Sequence, residues 1–371
     1  MMWGFSGIGM GFAIALPILR FIDEESVSDD EFDQLASRLF VHQYTSNAAY
    51  RRFCQGRGIT PRKVSTWRAI PPVPISAFKE VTMSCEPVEQ CERVFMTSGT
   101  TRADVRGRHH HPTLAVYDRS MTRNFAHRFM NDRARMPMAI LFPSEDAMPN
   151  SSLAHYLALA AREFGSETSR CFVGVGNAIG FDVDAFRTWL RAVVERGEPC
   201  ALLGASYSFV HVLDEFAASG ESWKLPAGSR ILDTGGYKRH SRELPLADFY
   251  DGLSRAFGVP RDHCINMYGM TELSTQFYDD GNATLPSVKS GPHWIRSRVI
   301  DPLTGVDVPP GQRGVLVHCD LANFNSATTI LTEDVGIEVP DKGFLLLGRV
   351  GGAEAKGCSL AVEEFLMAAR G

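Results

Sequence analysis

Between residues 139 and 268 short apolar runs alternate with amphipathic stretches, and this rhythm restricts the fold more than any other feature of the chain. Ala139 to Phe142, Cys171 to Val173, Ala201 to Leu203, Arg230 to Leu232 and Ile265 to Met267 are each three or four residues long. Between them stand Leu153, Tyr156, Leu157, Ala160 and Phe164, then Val183, Phe186, Leu190 and Val193, then Phe209, Leu213 and Phe216. After Pro245 come Leu246, Phe249, Leu253 and Phe257. Three- and four-residue intervals are the period of one helical face. Strands this short, separated by helices of about a dozen residues, predict βαβ units and a parallel sheet. Such sheets bind ligands beyond the carboxyl ends of their strands. Three strand ends are thereby singled out: Gly204 to Tyr207, Asp233 to Lys238, and Tyr268 to Glu272.

The segments before this core carry different signals. Ser28-Asp29-Asp30-Glu31 has capping-box spacing, with Phe32, Leu35 and Leu39 following at helical intervals. A second helical patch is expected through Tyr50 and Phe53. Ile70-Pro71-Pro72-Val73-Pro74-Ile75 is excluded from a helix interior and predicts an extended strap that ends in Phe78-Lys79. Val94-Phe95-Met96 then feeds Thr97-Ser98-Gly99-Thr100-Thr101 and a loop rich in Arg, Gly and His. Hydroxyls and backbone N–H groups around a glycine form a nest of donors suited to phosphate oxygens. The same composition also makes an ordinary hairpin turn, and this segment alone does not choose between them.

After about residue 285 turn chemistry appears at Asp301 to Gly305 and Val308 to Gly311, between β-like runs at Gly314 to Cys319 and Phe344 to Leu347. The expected division is a leader over 1–23, an α/β core over 24–290 and a β-rich subdomain over 291–371. Trp3 to Leu19 is nearly uncharged, but no basic residue precedes it, and Gly4, Gly7, Gly9 and Gly11 weaken it as a helix. It lacks the positive region of a signal peptide and the about 20 clean apolar residues of a membrane span, so it reads as a loosely specified leader, with a membrane anchor as the alternative. Net charge is −5 with both signs spread along the chain, which excludes the basic footprint of a nucleic-acid binder. The eight cysteines show no CxxC pair, so reduced thiols and a cytoplasmic location are expected. His109-His110-His111 invites a metal reading; adjacent histidines point in different directions and no carboxylate is spaced for coordination, so the run reads as a loop.

Taken in order, Thr97-Ser98-Gly99-Thr100-Thr101, Gly235-Gly236, Tyr268-Gly269-Met270-Thr271-Glu272, Thr332-Glu333-Asp334 and Gly348-Arg349 resemble the core motifs of the adenylate-forming superfamily. Within it the chain is most similar to the acyl-protein synthetases of fatty-acid reductase systems, the LuxE type. That likeness is carried by Pro71 to Lys79, Asp320-Leu321-Ala322-Asn323, Leu331 to Gly336 and Lys356-Gly357-Cys358-Ser359-Leu360. The resemblance implies a doubly wound parallel-sheet core with a C-terminal β-rich subdomain, and no usual C-terminal lid. It implies ATP and Mg2+, a carboxylic acid substrate (a fatty acid), and a partner that is an acyl-CoA-reductase-like or acyl-carrier protein. Arg102, Tyr237 and Gly351-Gly352 depart from the superfamily pattern.

By this resemblance Thr97, Ser98, Gly99, Thr100 and Thr101 hold the outer phosphates of ATP, Thr271 donates to the α-phosphate, and Glu272 holds Mg2+. Gly235, Gly236, Tyr237, Tyr268 and Gly269 surround the adenine, Asp334 accepts the ribose hydroxyls, and Arg349 supports ribose and phosphate. Lys238 and Arg102 are additional cations. Cys358, beside Lys356 and Gly357, is the implied acyl acceptor, where flexibility and a cation favour thiolate. Taken singly, Glu272 also reads as a helix-start carboxylate, Asp334 as a turn residue, Arg349 as a surface ion pair, Tyr237 as a packing residue and Cys358 as a half-buried thiol. The activity expected is formation of an acyl adenylate followed by transfer to Cys358. Direct ligation to CoA or an acyl carrier, and a nucleotide-binding module without turnover, are the alternatives.

Overall fold

A computed structural model describes residues 10–98, 106–174, 180–235 and 241–370. Two compact units emerge, and neither follows chain order. One comprises Met1–Arg123, Met270–Thr275 and Gly291–Gly371, the other Asn124–Gly269 and Gln276–Ser290.

The first unit opens on α1 (Met10–Asp23), α2 (Asp29–Ser46) and α3 (Ala48–Gly56). The stretch expected to be a loose leader is helical from Met10 onward, with Ile18 and Ile22 fully buried; apolar packing outweighs the weak helix propensity of its glycine. α2 starts as its sequence predicts. Ser28 Oγ accepts the Glu31 N–H at 3.2 Å, and the Glu31 carboxylate accepts the Ser28 N–H at 2.8 Å. The proline strap yields β1 (Val73–Pro74) and leads into the single turn of α4 (Ala77–Glu80). β2 (Arg93–Met96) and β3 (Arg108–His111) pair as an antiparallel hairpin, Arg93 opposite His111 and Met96 opposite Arg108. The three histidines are therefore a strand, not the expected loop. His109 and His111 are buried on one face while His110 points to the other, the period-two alternation of a pleated strand. α5 (Ala115–Phe125) follows.

The second unit contains β4 (Met138–Pro143), α6 (Ser152–Phe164), β5 (Arg170–Val173), α7 (Val183–Arg196), β6 (Ala201–Ala205), α8 (Ser206–Ser219), β7 (Arg230–Thr234), α9 (Leu246–Phe257) and β8 (Cys264–Tyr268). Short strands β9 (Phe277–Tyr278) and β10 (Val288–Lys289) complete it. Its sheet runs β5-β4-β6-β7-β8-β9, parallel through β8, with β9 antiparallel. Every strand and helix expected between 139 and 268 forms. The apolar faces of the helices meet around Phe186, which is fully buried and contacts the rings of Phe172, Phe181, Trp189, Phe216 and Phe257.

The chain returns to the first unit with β11 (Ile295–Ile300), β12 (Arg313–Asp320), β13 (Thr329–Val339), β14 (Gly343–Arg349) and α10 (Gly352–Arg370). These strands are antiparallel in the order β14-β13-β12-β11. β1 lies parallel to the start of β13, Val73 beside Ile330 and Pro74 beside Leu331. α10 packs on α3: the Phe53 and Phe365 rings stand 4.8 Å apart, and Arg57 Nε donates to Glu364 at 2.6 Å. Among the described residues no helix is long and apolar enough to cross a membrane.

Candidate active site

The segment Met270–Thr275 follows β8 but belongs to the first unit, where three side chains hold it. His109 Nδ1 lies 3.0 Å from the Thr271 carbonyl, and its Nε2 lies 3.0 Å from Ser326 Oγ. A carbonyl only accepts, so Nδ1 carries the proton and Nε2 accepts from the serine. Burial pushes this imidazole down to about 4, so it is neutral near pH 7. Asn323 donates to the Glu272 carbonyl at 2.8 Å and accepts the Ser274 N–H at 2.8 Å. Asp320, fully buried, accepts the N–H groups of Ser274 (3.0 Å), Thr275 (2.9 Å) and Ala322 (2.9 Å), and the Thr275 hydroxyl (2.8 Å). Burial still raises Asp320 to about 6. The loop carrying Thr271 and Glu272 is thus fixed through its backbone, leaving those two side chains for other work.

Glu272 is 2 % exposed. Burial is the largest influence on its carboxyl and raises it to about 7, against the opposing effects of its own backbone N–H and the charges of Lys79 and Arg349. Its neighbour is the β2–β3 loop. A Cβ placed on Gly107 would lie 3.1 Å from Glu272 Oε1 and 3.1 Å from Thr97 Cγ2, so any side chain there would press the carboxylate and the threonine apart by a few tenths of an ångström. Thr97 is itself pinned: its N–H donates to the Gly107 carbonyl and its Oγ1 accepts the Gly107 N–H, both at 3.0 Å. Ser98 is the exposed residue that follows. A single buried carboxylate beside a hydroxyl-bearing loop fits Mg2+, a hard cation that keeps several waters and takes its other ligands from substrate phosphates.

Asp334 and Arg349 face each other across β13 and β14. Arg349 Nη1 lies 3.5 Å from Asp334 Oδ1, and Nη2 lies 2.8 Å from Glu333 Oε2. The other Glu333 oxygen accepts Ser76 Oγ at 2.5 Å. Thr97, Ser98, Thr271, Glu272, Asp334 and Arg349 accordingly fall in one compact unit, although 252 positions separate the first from the last. Lys79, Asp320, Asn323 and His109 were not assigned roles from the sequence. Their partners lie tens to hundreds of positions away, so no local signal marks them; the family likeness of Pro71 to Lys79 and of Asp320 to Asn323 was the hint.

Cys358 departs from expectation. It lies in the body of α10, 6 % exposed, among Ile300, Val315, Val317 and Leu331. Burial, with Glu333 and Glu354 nearby, pushes the thiol up to about 11, the opposite of a thiolate-favouring site. Nor does Gly357 supply flexibility: a Cβ there would lie 2.9 Å from Pro302, so glycine serves close packing of the helix. Cys358 Sγ lies 3.9 Å from the carbonyl of Thr332, two residues before Asp334.

The second unit holds the remaining described candidates. Gly235 follows β7 at φ +76°, a conformation that favours glycine. Tyr268 is buried, its ring 5.8 Å from that of Phe277. Gly269 is exposed. Behind these strand ends Asp233 accepts Ser206 Oγ at 2.8 Å, Asn266 Nδ2 at 2.9 Å and Tyr250 OH at 3.1 Å, and burial raises it to about 6. Gly99, Thr100, Thr101, Arg102, Gly236, Tyr237 and Lys238 lie outside the described residues.

A family model described as acyl-protein synthetase, LuxE, matches residues 23–367. The chain belongs to the LuxE acyl-protein synthetase family. Long-chain-fatty-acid–luciferin-component ligase of Vibrio harveyi is 24 % identical to this synthetase over 348 residues, covering 90 % of this chain and 89 % of the relative. The protein of the same name from Aliivibrio fischeri is 23 % identical over 342 residues, covering 89 % and 87 %. Among solved structures, 2-hydroxyisobutyryl-CoA ligase in complex with 2-HIB-AMP and CoA superposes with a TM-score of 0.63 at 15 % identity, over 86 % of this chain and 69 % of that one. ATP-bound MatB from Rhodopseudomonas palustris gives 0.50 at 17 % identity, over 71 % and 49 %. The synthetase is therefore a ligase with the adenylate-forming fold.

Proposed function

We propose that this synthetase uses ATP and Mg2+ to convert a fatty acid into an acyl adenylate, releasing pyrophosphate, and passes the acyl group to Cys358 and then to a partner. The observation that carries this reading is the meeting of Thr97 and Glu272 at Gly107, with the charge of Arg349 acting on the same carboxylate. Activation brings two anions together, so the site must supply aligned donors and positive potential. Thr97 and Ser98, with Gly99, Thr100 and Thr101, hold the outer phosphates through hydroxyl and backbone donors. Thr271 donates to the α-phosphate. Glu272 holds Mg2+, which neutralises phosphate charge when bound. Asp334 accepts the ribose hydroxyls, and Arg349 supports ribose and phosphate. Gly235, Gly236, Tyr237, Tyr268 and Gly269 surround the adenine, and Lys238 adds a cation.

An acyl adenylate is a strong electrophile, and Cys358 would attack it as thiolate to give a thioester and AMP. The partner that receives the acyl group is an acyl-CoA-reductase-like or acyl-carrier protein. A second reading is favoured by the burial of Cys358 and its raised pKa: the acyl group passes directly to the free thiol of CoA or an acyl carrier.

Carboxylate-dependent ATP–pyrophosphate exchange across a panel of acids, with adenylate trapped by hydroxylamine, tests activation; no exchange with any acid would overturn it. Cys358→Ser separates the two acceptors. If Cys358 is the acceptor, the variant keeps exchange and loses acyl labelling of the protein. If a free thiol is the acceptor, it keeps full turnover with that thiol.

A further inference from the structure

α4 is a single turn, yet it and the residue before it are tied to the residues around the candidate site. Ser76, just before it, donates to Glu333, whose other oxygen binds Arg349. Phe78, within it, presents its ring edge-on to His109, with centroids 6.1 Å apart, and His109 holds the Thr271 carbonyl. Upstream, β1 is paired with β13, and the prolines of the strap leave its backbone little freedom. Lys79 therefore projects from a short, braced element. Its side chain is exposed, its charge acts on Glu272, and its ammonium makes no hydrogen bond or ion pair among the described residues. A lysine ammonium is a point charge with three donors, a phosphate binder when nothing else engages it.

We propose that Lys79 is a further catalytic residue of this synthetase, binding the β- and γ-phosphate oxygens of ATP and neutralising the pyrophosphate as it leaves. The inference rests on the adenylation reading given above. In that step an oxygen lone pair of the substrate carboxylate forms a bond to the α-phosphorus. The bond from that phosphorus to the bridging oxygen breaks, and its electron pair departs with pyrophosphate. No proton or redox equivalent is exchanged. Negative charge grows on the leaving group, so a cation at the outer phosphates stabilises the transition state more than the ground state.

The test compares Lys79→Ala and Lys79→Arg with the natural chain, using calorimetry with Mg2+ and ATP, tripolyphosphate or AMP, and pyrophosphate exchange. Lys79→Ala is expected to weaken ATP and tripolyphosphate binding at least about tenfold while leaving AMP binding unchanged, and Lys79→Arg to restore most of it. Exchange should fall in kcat, with a raised KM for pyrophosphate. Unchanged ATP binding, or an equal loss for AMP and ATP, would overturn the assignment. Failure of the natural chain to exchange with any acid while these binding differences persist would sink the adenylation reading and leave the phosphate contact standing. A natural chain that binds neither ATP nor tripolyphosphate would end both.

Discussion

Buried carboxylates are treated in one way in the parallel-sheet unit and in two ways in the other. In the parallel-sheet unit each one is answered by the protein itself. Asp233 receives three side-chain donors, and Asp279 accepts the ammonium of Lys289 at 2.5 Å. In the unit assembled from three chain segments, Asp320 is also fully answered, whereas Glu272 is buried with its own backbone N–H and the charges of Lys79 and Arg349 acting on it, and with no side-chain donor among the described residues. A carboxylate answered by fixed donors is a structural anchor. One kept from water with no side-chain donor to balance it is open to a cation or a proton.

The contrast is broken or sharpened by substitution. The largest effect is expected in the parallel-sheet unit, where stability comes from apolar packing: Phe186→Ala should cost about 3–5 kcal/mol in denaturant unfolding. A loss well below that would mean that its core is not the organising one.

Glu272→Gln should move the other way. The carboxyl goes from 4.5 to about 7 on folding, so it carries no penalty below pH 4.5 and the full penalty above pH 7. Removing the charge should stabilise the ligand-free protein at pH 8 by up to about 3 kcal/mol, with no gain at pH 4. Pyrophosphate exchange should meanwhile drop by about a hundredfold or more. A variant that is less stable at pH 8 would place Glu272 with the anchors.

Asp320→Asn replaces an acceptor of four donors with a group that must turn its own N–H2 toward some of them. A cost of about 1–3 kcal/mol is expected, together with a raised KM for ATP because the Thr271–Glu272 loop loosens. Ser28→Ala removes only a cap on α2 and should cost about 1 kcal/mol with no change in exchange kinetics.

Much of the fold was legible because its signals are local. The capping box at Ser28, the apolar faces of α6 to α9 and the short strands between them depend on residues a few positions apart. The histidine run was misjudged because its partners, Arg93 to Met96, lie across a long loop. The site motifs were recognisable as words, but not what holds them in place. Ser274 and Asp320 are 46 positions apart and His109 and Thr271 are 162 apart, so no window of sequence contains either contact.

Cys358 marks the limit most clearly. Lys356 and Gly357 beside it read as a flexible, cationic setting, yet the thiol packs among Ile300, Val315, Val317 and Leu331, and burial raises its pKa. By itself the sequence determined which segments are helix and strand in the parallel-sheet unit, and which motifs mark the family, because periodicity and motif are properties of neighbours along the chain. Only the tertiary structure decided which carboxylates are answered, which glycine makes room and which thiol is covered. Solvation and charge at a point depend on everything that surrounds it in space.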